Sequence, residues 1–338
     1  MMLDSLQRVH EIAAAALTEL PAEVESAGRP VVLRGAVRNW PFVRAALQSD
    51  EAAVQYLDRF YTGAPVSTMV AAPSVKGRFF YQSDSKQMNF QRSSESLSKV
   101  LQSLLREREA EQPFGVAIQA IPAAEILPGL QEENPNPLVP MGVPARLWIG
   151  NQVTVAPHFD VADNIACVTA GRRRFFLFSP EQTPNLYPGP MDVTPASVPI
   201  SMVSLAEPEL DRFPRYREAL EAALVAELEP GDAIYIPYLW WHGVQSLSRF
   251  NVLTNYWWQR STGAASYPYV PLLRLAYMLY RGMPRERRDA WRALYNHYVF
   301  EEDGDPMEPL SPAHRDFEGE IDPEAVAKLR QAIRDLLD

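Results

Sequence analysis

The sequence predicts a mainly β protein, a barrel or sandwich flanked by helices at both ends. Two observations carry that expectation. Between about Phe114 and Gln259, runs such as "FGVAIQAI", "ARLWIGN", "NIACVTAG", "RRRFFLFSP", "DAIYIPY" and "NVLTNYWWQ" recur between Pro- and Gly-rich turns. Short β-branched and aromatic runs at that spacing are the signature of an all-β core. On either side of the stretch, apolar residues mostly follow helical periodicity instead.

In chain order, residues 1–113 read as helices and strands that pack on the barrel. The N-terminal segment is expected to be an amphipathic helix, and "RPVVLRGAV" a strand ending at a glycine. Residues 41–61 read as helix on Phe42, Leu47, Val54, Leu57 and Phe60. "PVSTMVA" and "GRFFYQ" read as strands, and 94–109 as a charged helix. Residues 114–261 form the barrel. Within it, "EENPNPLVPMGVP" and "YPGPMDVTPASVP" hold many of the 30 prolines and read as long ordered loops. A helical insert spans roughly 208–228, before the tight turn "EPGD". Residues 262–338 return to helix, apart from "EEDGDPMEPLSPAHRDFEG". They carry two apolar stripes. One is Ala290, Trp291, Leu294, Tyr295 and Tyr298; the other is Val326, Leu329, Ile333, Leu336 and Leu337, behind an N-cap at Asp322 and Pro323 at the first helical position.

Composition narrows the function classes. A chain of 338 residues, 47% hydrophobic and 22% charged, can bury a substantial core. Its net charge of −10 argues against a nucleic-acid binder that works by neutralising phosphates. A single cysteine, Cys167, excludes a disulfide framework and fits a reducing cytoplasm. It sits in an apolar run and reads as a small buried hydrophobe. The opening "MMLDSLQRVHEIAAAALTEL" has acidic residues and no basic n-region, so it does not read as a signal peptide. No stretch approaches the roughly 18 apolar residues of a membrane span.

The chemistry concentrates in "APHFDVADNIACVTAGRRRFFLFSP", residues 156–180. Side chains two apart in a strand share a face, so His158 and Asp160 would point into one space. Alone, the pair reads as an ordinary hydrogen bond before it reads as half of a cation site. "LEPGDAIYIPYLWWHGVQSL" adds His242 behind a strand and two tryptophans. Two histidines and one carboxylate, split as a near pair and a distant third, match a facial triad with open positions for non-haem Fe(II). Asp163 is a rival carboxylate that would face away in a strand. His10, His297 and His314 fall in helical or loop segments outside the β-core and are not expected to ligate. In "RRRFFLF", Arg173, Phe175 and Leu177 share one face. Either Arg173 lines the barrel as a buried cation that requires an anion, or three arginines are solvated at a strand end.

"HFD…N…AGRRRFFLFSP", "LYPGP", "LEPGDAIYIPYLWWH" and "NVLTNYWW" together resemble the cupin-like branch of the JmjC family. That branch groups bacterial cupin-like proteins with the factor-inhibiting-HIF type of asparaginyl hydroxylase. The resemblance is densest over 142–260 and extends from about 30. It implies a double-stranded β-helix, the jelly-roll (cupin) fold of JmjC type, and an Fe(II)- and 2-oxoglutarate-dependent dioxygenase that consumes O2. Carried over residue by residue, it makes His158, Asp160 and His242 the iron ligands and catalytic centre. Arg173 falls where a lysine commonly holds the far carboxylate of 2-oxoglutarate. Asn164 and Asn255 match asparagines of the metal and co-substrate pocket, Trp257 an aromatic wall, and Tyr81 in "RFFYQ" a tyrosine that touches 2-oxoglutarate, with Phe80 as the alternative. Val155 departs from the pattern, replacing a threonine that helps hold the co-substrate.

The resemblance further implies a protein or peptide substrate and a homodimer formed through C-terminal helices. Two other classes stay open. One is a cupin-fold binding or regulatory module whose metal is structural or absent. The other is a metal-dependent cupin enzyme that does not use 2-oxoglutarate; Arg173 discriminates between that class and the oxygenase.

Overall fold

Alternation of inward and outward side chains along short strands builds the core of this chain. The computed structural model describes residues 6–82, 87–191, 194, 198–260, 269–306, 308, 309, 327, 331 and 334. Five strands come first: β1 (Gln7–Arg8), β2 (His10–Ala13), β3 (Val31–Arg34), β4 (Pro65–Ala71) and β5 (Phe90–Ser96). Next are β6 (Gly115–Pro122), β7 (Ala145–Gly150), β8 (Thr154–His158), β9 (Asp163–Ala170) and β10 (Arg173–Phe178). The series closes with β11 (Leu224–Leu228), β12 (Ala233–Ile236), β13 (Trp241–Ser246) and β14 (Asn251–Trp258).

Among the described residues these strands form two sheets, ordered β1-β11-β10-β13-β8 and β2-β3-β12-β9-β14-β7-β6-β4-β5. Strands β7 to β14 make the expected jelly roll, a double-stranded β-helix, in which β7, β14, β9 and β12 oppose β8, β13, β10 and β11. Val168, Phe175, Leu228, Ile234, Val244 and Leu253, drawn from six of those strands, share one buried cluster between the sheets. Strands β2 to β6 widen the larger sheet, and helices Pro41–Gln48, Asp50–Asp58 and Leu97–Glu107 pack on its outer face, where Phe42, Leu57 and Leu101 join a second core. The first two helices are separated at Ser49, whose hydroxyl accepts from the Ala52 N–H as the N-cap of the second.

Two turns set the register that the site needs. Gly171 joins β9 to β10 at φ +71°, and a Cβ there would stand 2.3 Å from the Phe250 carbonyl oxygen, so only glycine fits. The register that follows pairs Arg173 with Leu228 on one side and Ser246 on the other. Arg173, Phe175 and Leu177 consequently face inward. At the turn before β12, Asp232 accepts from the Glu229 and Gly35 N–H groups at 3.2 and 2.9 Å and pairs with Arg34 at 2.5 Å.

The structure corrects several expectations. The N-terminal segment is not helical: β1 and β2 pair in parallel with β11 and β3, and Val9 between them is buried in the inter-sheet core. His10 is therefore an exposed strand residue. Sheet pairing has overridden an alanine-rich local preference. "GRFFYQ" is no ladder strand; it holds only the isolated bridges Arg78↔Thr154 and Tyr81↔Met88. The insert at 208–228 keeps one short helix, Tyr216–Glu221, while Leu224–Leu228 is β11, paired with β10. A short apolar run carries no period that separates strand from buried helix. Cys167 is buried, as expected, and burial pushes its thiol pKa up.

The chain divides into two compact units, Met1–Trp258 and Gln259–Asp338. The second holds helices Tyr269–Tyr280 and Arg285–Tyr298, joined by a 3.0 Å contact between the Tyr280 and Tyr295 hydroxyls. On its first predicted stripe Trp291, Leu294 and Tyr298 are exposed. His297 lies in the later helix; His314 and the stripe from Val326 to Leu337 lie outside the described residues. No described helix is long and apolar enough to cross a membrane.

Candidate metal centre

Three side chains converge at the open end of the jelly roll. His158 ends β8 and His242 is the second residue of β13, and the two are directly paired across the sheet. Their rings lie 4.3 Å apart. Asp160 reaches the same space from the turn after β8, not by strand alternation. The possible ligand atoms of His158, Asp160 and His242 all lie within 4.8 Å of one another, with Asp160 Oδ2 3.6 Å from His242 Nε2. Asp163, the rival carboxylate, points away and accepts from the Tyr235 hydroxyl at 2.6 Å.

Backbone carbonyls orient both histidine rings. His158 Nδ1 lies 3.0 Å from the Ala156 carbonyl, and His242 Nδ1 3.1 Å from the Trp240 carbonyl. A carbonyl oxygen only accepts, so each Nδ1 carries a proton, and Nε2 is the nitrogen that would present a lone pair to a metal. Burial, reinforced by the neighbouring His158, pushes the His242 pKa down to about 4, so its ring is neutral at physiological pH. Asp160 is oriented by two N–H donors to its Oδ2, Trp257 Nε1 at 3.0 Å and Asn164 Nδ2 at 3.3 Å. Two imidazoles and one carboxylate, with the remaining directions facing a cavity, fit a divalent transition metal that keeps open positions.

Arg173 occupies the floor of that cavity. It is 5% exposed, and burial lowers its pKa to about 10, which leaves it cationic at neutral pH. Its Nη2 donates to the Trp148 carbonyl at 3.3 Å, and its Nε has no partner. No carboxylate pairs with it among the described residues. Arg174 and Arg172 turn outward to Glu227, at 2.6 and 3.5 Å. Of the two readings of the arginine run, the inward cation is the one observed.

The cavity has a volume of about 340 Å³. Its lining brings together His158, Asp160, His242, Arg173, Asn164, Asn255 and Trp257, with Val155 in the wall. The Oδ1 atoms of Asn164 and Asn255 are buried there without hydrogen-bond partners. Tyr81 is not in the lining; it packs with Phe80, Ala156 and Ile200 in a separate cluster, and Phe80 stays outside as well. The wall expected from "RFFYQ" comes instead from β6 and β5, through Gln119, Ala120 and Arg92. Consecutive Gln119 and Ala120 both line the cavity because β6 slips register between Ile118 and Ile121, with Ala120 at φ +53°. The bulge carries no glycine to mark it in the sequence. Trp148, facing the cavity from β7, also escaped the sequence reading.

Comparison with known proteins gives the family. A family model described as a cupin-like domain matches residues 17–264. HSPB1-associated protein 1 of Homo sapiens is 37% identical over 118 residues, 34% of this chain and 24% of that protein. Lysine-specific demethylase JMJ31 of Arabidopsis thaliana is 36% identical over 115 residues, covering 34% of this chain and 20% of that protein. Jumonji C domain-containing protein 5 of Drosophila melanogaster is 26% identical over 265 residues, 74% of this chain and 60% of the relative. The matched stretch thus spans about a quarter or less of the first two relatives' own length. The chain belongs to the cupin-like family of JmjC-domain proteins, whose members are typically Fe(II)- and 2-oxoglutarate-dependent oxygenases.

Proposed function

We propose that this protein is an Fe(II)- and 2-oxoglutarate-dependent oxygenase that hydroxylates a C–H bond of a protein or peptide side chain. The observation that carries the reading is Arg173: a buried cation with no carboxylate partner among the described residues, in the same cavity as a two-histidine, one-carboxylate cluster. A buried charge requires a counter-charge, and a dicarboxylate co-substrate supplies one. A cupin enzyme without such a co-substrate leaves Arg173 with no counter-charge among the described residues.

His158, Asp160 and His242 would hold the metal. When bound, Fe(II) supplies the activation of dioxygen that oxidises 2-oxoglutarate to succinate and CO2 and converts the substrate C–H to C–OH. The protein's own residues do the placing. Arg173 offers a planar fork of donors for the far carboxylate. Asn164 and Asn255 present buried amides to the cavity, and Trp148 and Trp257 wall it. Phe175, Ile236, Val244 and Leu253 make the remaining wall apolar and exclude water from the centre. Val155 provides no hydroxyl, so more of the carboxylate's hold falls to Arg173.

A protein substrate is supported by two relatives: one is named a lysine-specific demethylase and the other is named for association with HSPB1. The acidic balance supports no nucleic-acid partner, and the single buried cysteine suits a cytoplasmic setting. Exposed Trp291, Leu294 and Tyr298 support a homodimer formed through the C-terminal helices. The test is aerobic incubation with Fe(II) and 2-oxoglutarate alone, followed by succinate assay. The expected result is slow substrate-independent turnover that Asp160→Ala abolishes; succinate release equal in the variant, or absent in both, contradicts the reading.

A further inference from the structure

We infer that Trp257 is a positioning residue for the metal carboxylate: its indole N–H pins Asp160, and its ring, seated on Trp148, braces that carboxylate against the strand that supports Arg173. The inference rests on His158, Asp160 and His242 holding a divalent metal, and it deepens that reading.

Asp160 lies beyond the end of β8, so no ladder pairing holds it. Its carbonyl accepts from the Leu239 N–H at 3.0 Å, which fixes the main chain but not the rotation of the carboxylate. Two side-chain donors fix the rotation, and both reach Oδ2. The indole of Trp257 is the nearer, at 3.0 Å against 3.3 Å for the amide of Asn164. An indole nitrogen is a donor only, whereas a primary amide can turn and present its oxygen. The tryptophan is therefore the clamp of fixed sense. A carboxylate has about four lone-pair positions over two oxygens, so two N–H bonds set its plane and leave capacity for a metal.

The placement of the clamp follows from strand register. Trp257 on β14 pairs with Asn164 on β9, which sets the two donors side by side. The Trp257 ring meets Trp148 edge to face, with centroids 5.1 Å apart and planes at 80°. Trp148 in turn offers its main-chain carbonyl to Arg173 Nη2. The ring contact with Trp148 couples the indole to β7, whose backbone supports the buried cation. Partners one bond removed from a metal ligand typically change metal affinity by roughly 10–100-fold when lost.

Co(II) titration of the full-length protein, read by visible absorption and calorimetry, tests this. Trp257→Phe keeps an aromatic ring and removes the N–H, and it should weaken Co(II) binding by about tenfold or more. Trp291→Phe, an exposed tryptophan outside the cavity, is the control and should bind Co(II) as the parent does. A Trp257→Phe variant within about twofold of the parent overturns the positioning role and leaves the metal site standing. A parent that binds no Co(II) overturns the metal reading and this inference together. Should Trp257→Phe fail to fold, the parent decides by NMR of its seven tryptophans. The Trp257 indole N–H resonance, assigned through space, must shift in Asp160→Ala; an unmoved resonance overturns the clamp.

Discussion

At the scale of single residues, the account turns on which arginine of the run at 172–174 faces inward. Arg173 does, and its neighbours pair with Glu227. Arg173→Glu should therefore abolish 2-oxoglutarate binding, measured by calorimetry, while the metal still binds. Arg172→Glu and Arg174→Glu should bind the co-substrate normally. Equal losses in all three variants would contradict the assignment. His242 makes a second prediction, this one for the metal-free protein. Its native pKa, about 4, lies below the ordinary 6.5 of the unfolded chain. Between those values the unfolded state holds the extra proton, so stability falls as pH drops from about 6.5 toward 4. Urea midpoints in EDTA should decline from pH 7 to pH 5, and His242→Gln should decline less; parallel slopes would contradict the assignment. The convergence of His158, Asp160 and His242 and the inward face of Arg173 were expected from the sequence, although Asp160 arrives by a turn and not by the strand spacing that suggested it. Tyr81 falls outside the cavity lining, and Gln119 enters it through a bulge at Ala120 that nothing in the sequence marks.

At the scale of elements, the jelly-roll strands from β6 onward were mostly legible, since their runs are apolar and bounded by turns. The missed strands share a physical cause. β1 and β2 are short edge additions whose partners lie far along the chain. β11 follows directly on a helix, and β8 holds a proline. Long-range pairing determined these segments, and local periodicity does not report it. The turn at Gly171 was readable and is decisive, because a slip of one residue would turn Arg173 out and Arg174 in. Gly171→Ala should cost roughly 2–3 kcal/mol from the positive φ and the contact with the Phe250 carbonyl. Denaturant titration checks this, and a loss well under about 1 kcal/mol would show that the turn relaxes.

At the scale of the whole molecule, the two compact units divide the labour: one carries the cavity and the other carries exposed apolar side chains, Trp291, Leu294 and Tyr298 among them. Burying those side chains in a two-fold contact would stabilise a pair of chains. Sedimentation should give a mass near twice 38.1 kDa, and Leu294→Asp should lower it toward a single chain. A concentration-independent monomer would contradict the dimer. The central claim, however, is the joint presence of a metal cluster and a co-substrate cation in one cavity. Anaerobic addition of Fe(II) and then 2-oxoglutarate, followed by visible spectroscopy, tests it most directly. A weak charge-transfer band that needs both additions, and that is missing in Asp160→Ala and Arg173→Glu, is the result this account predicts. No band in the parent protein, with Fe(II) shown to be bound, would contradict it.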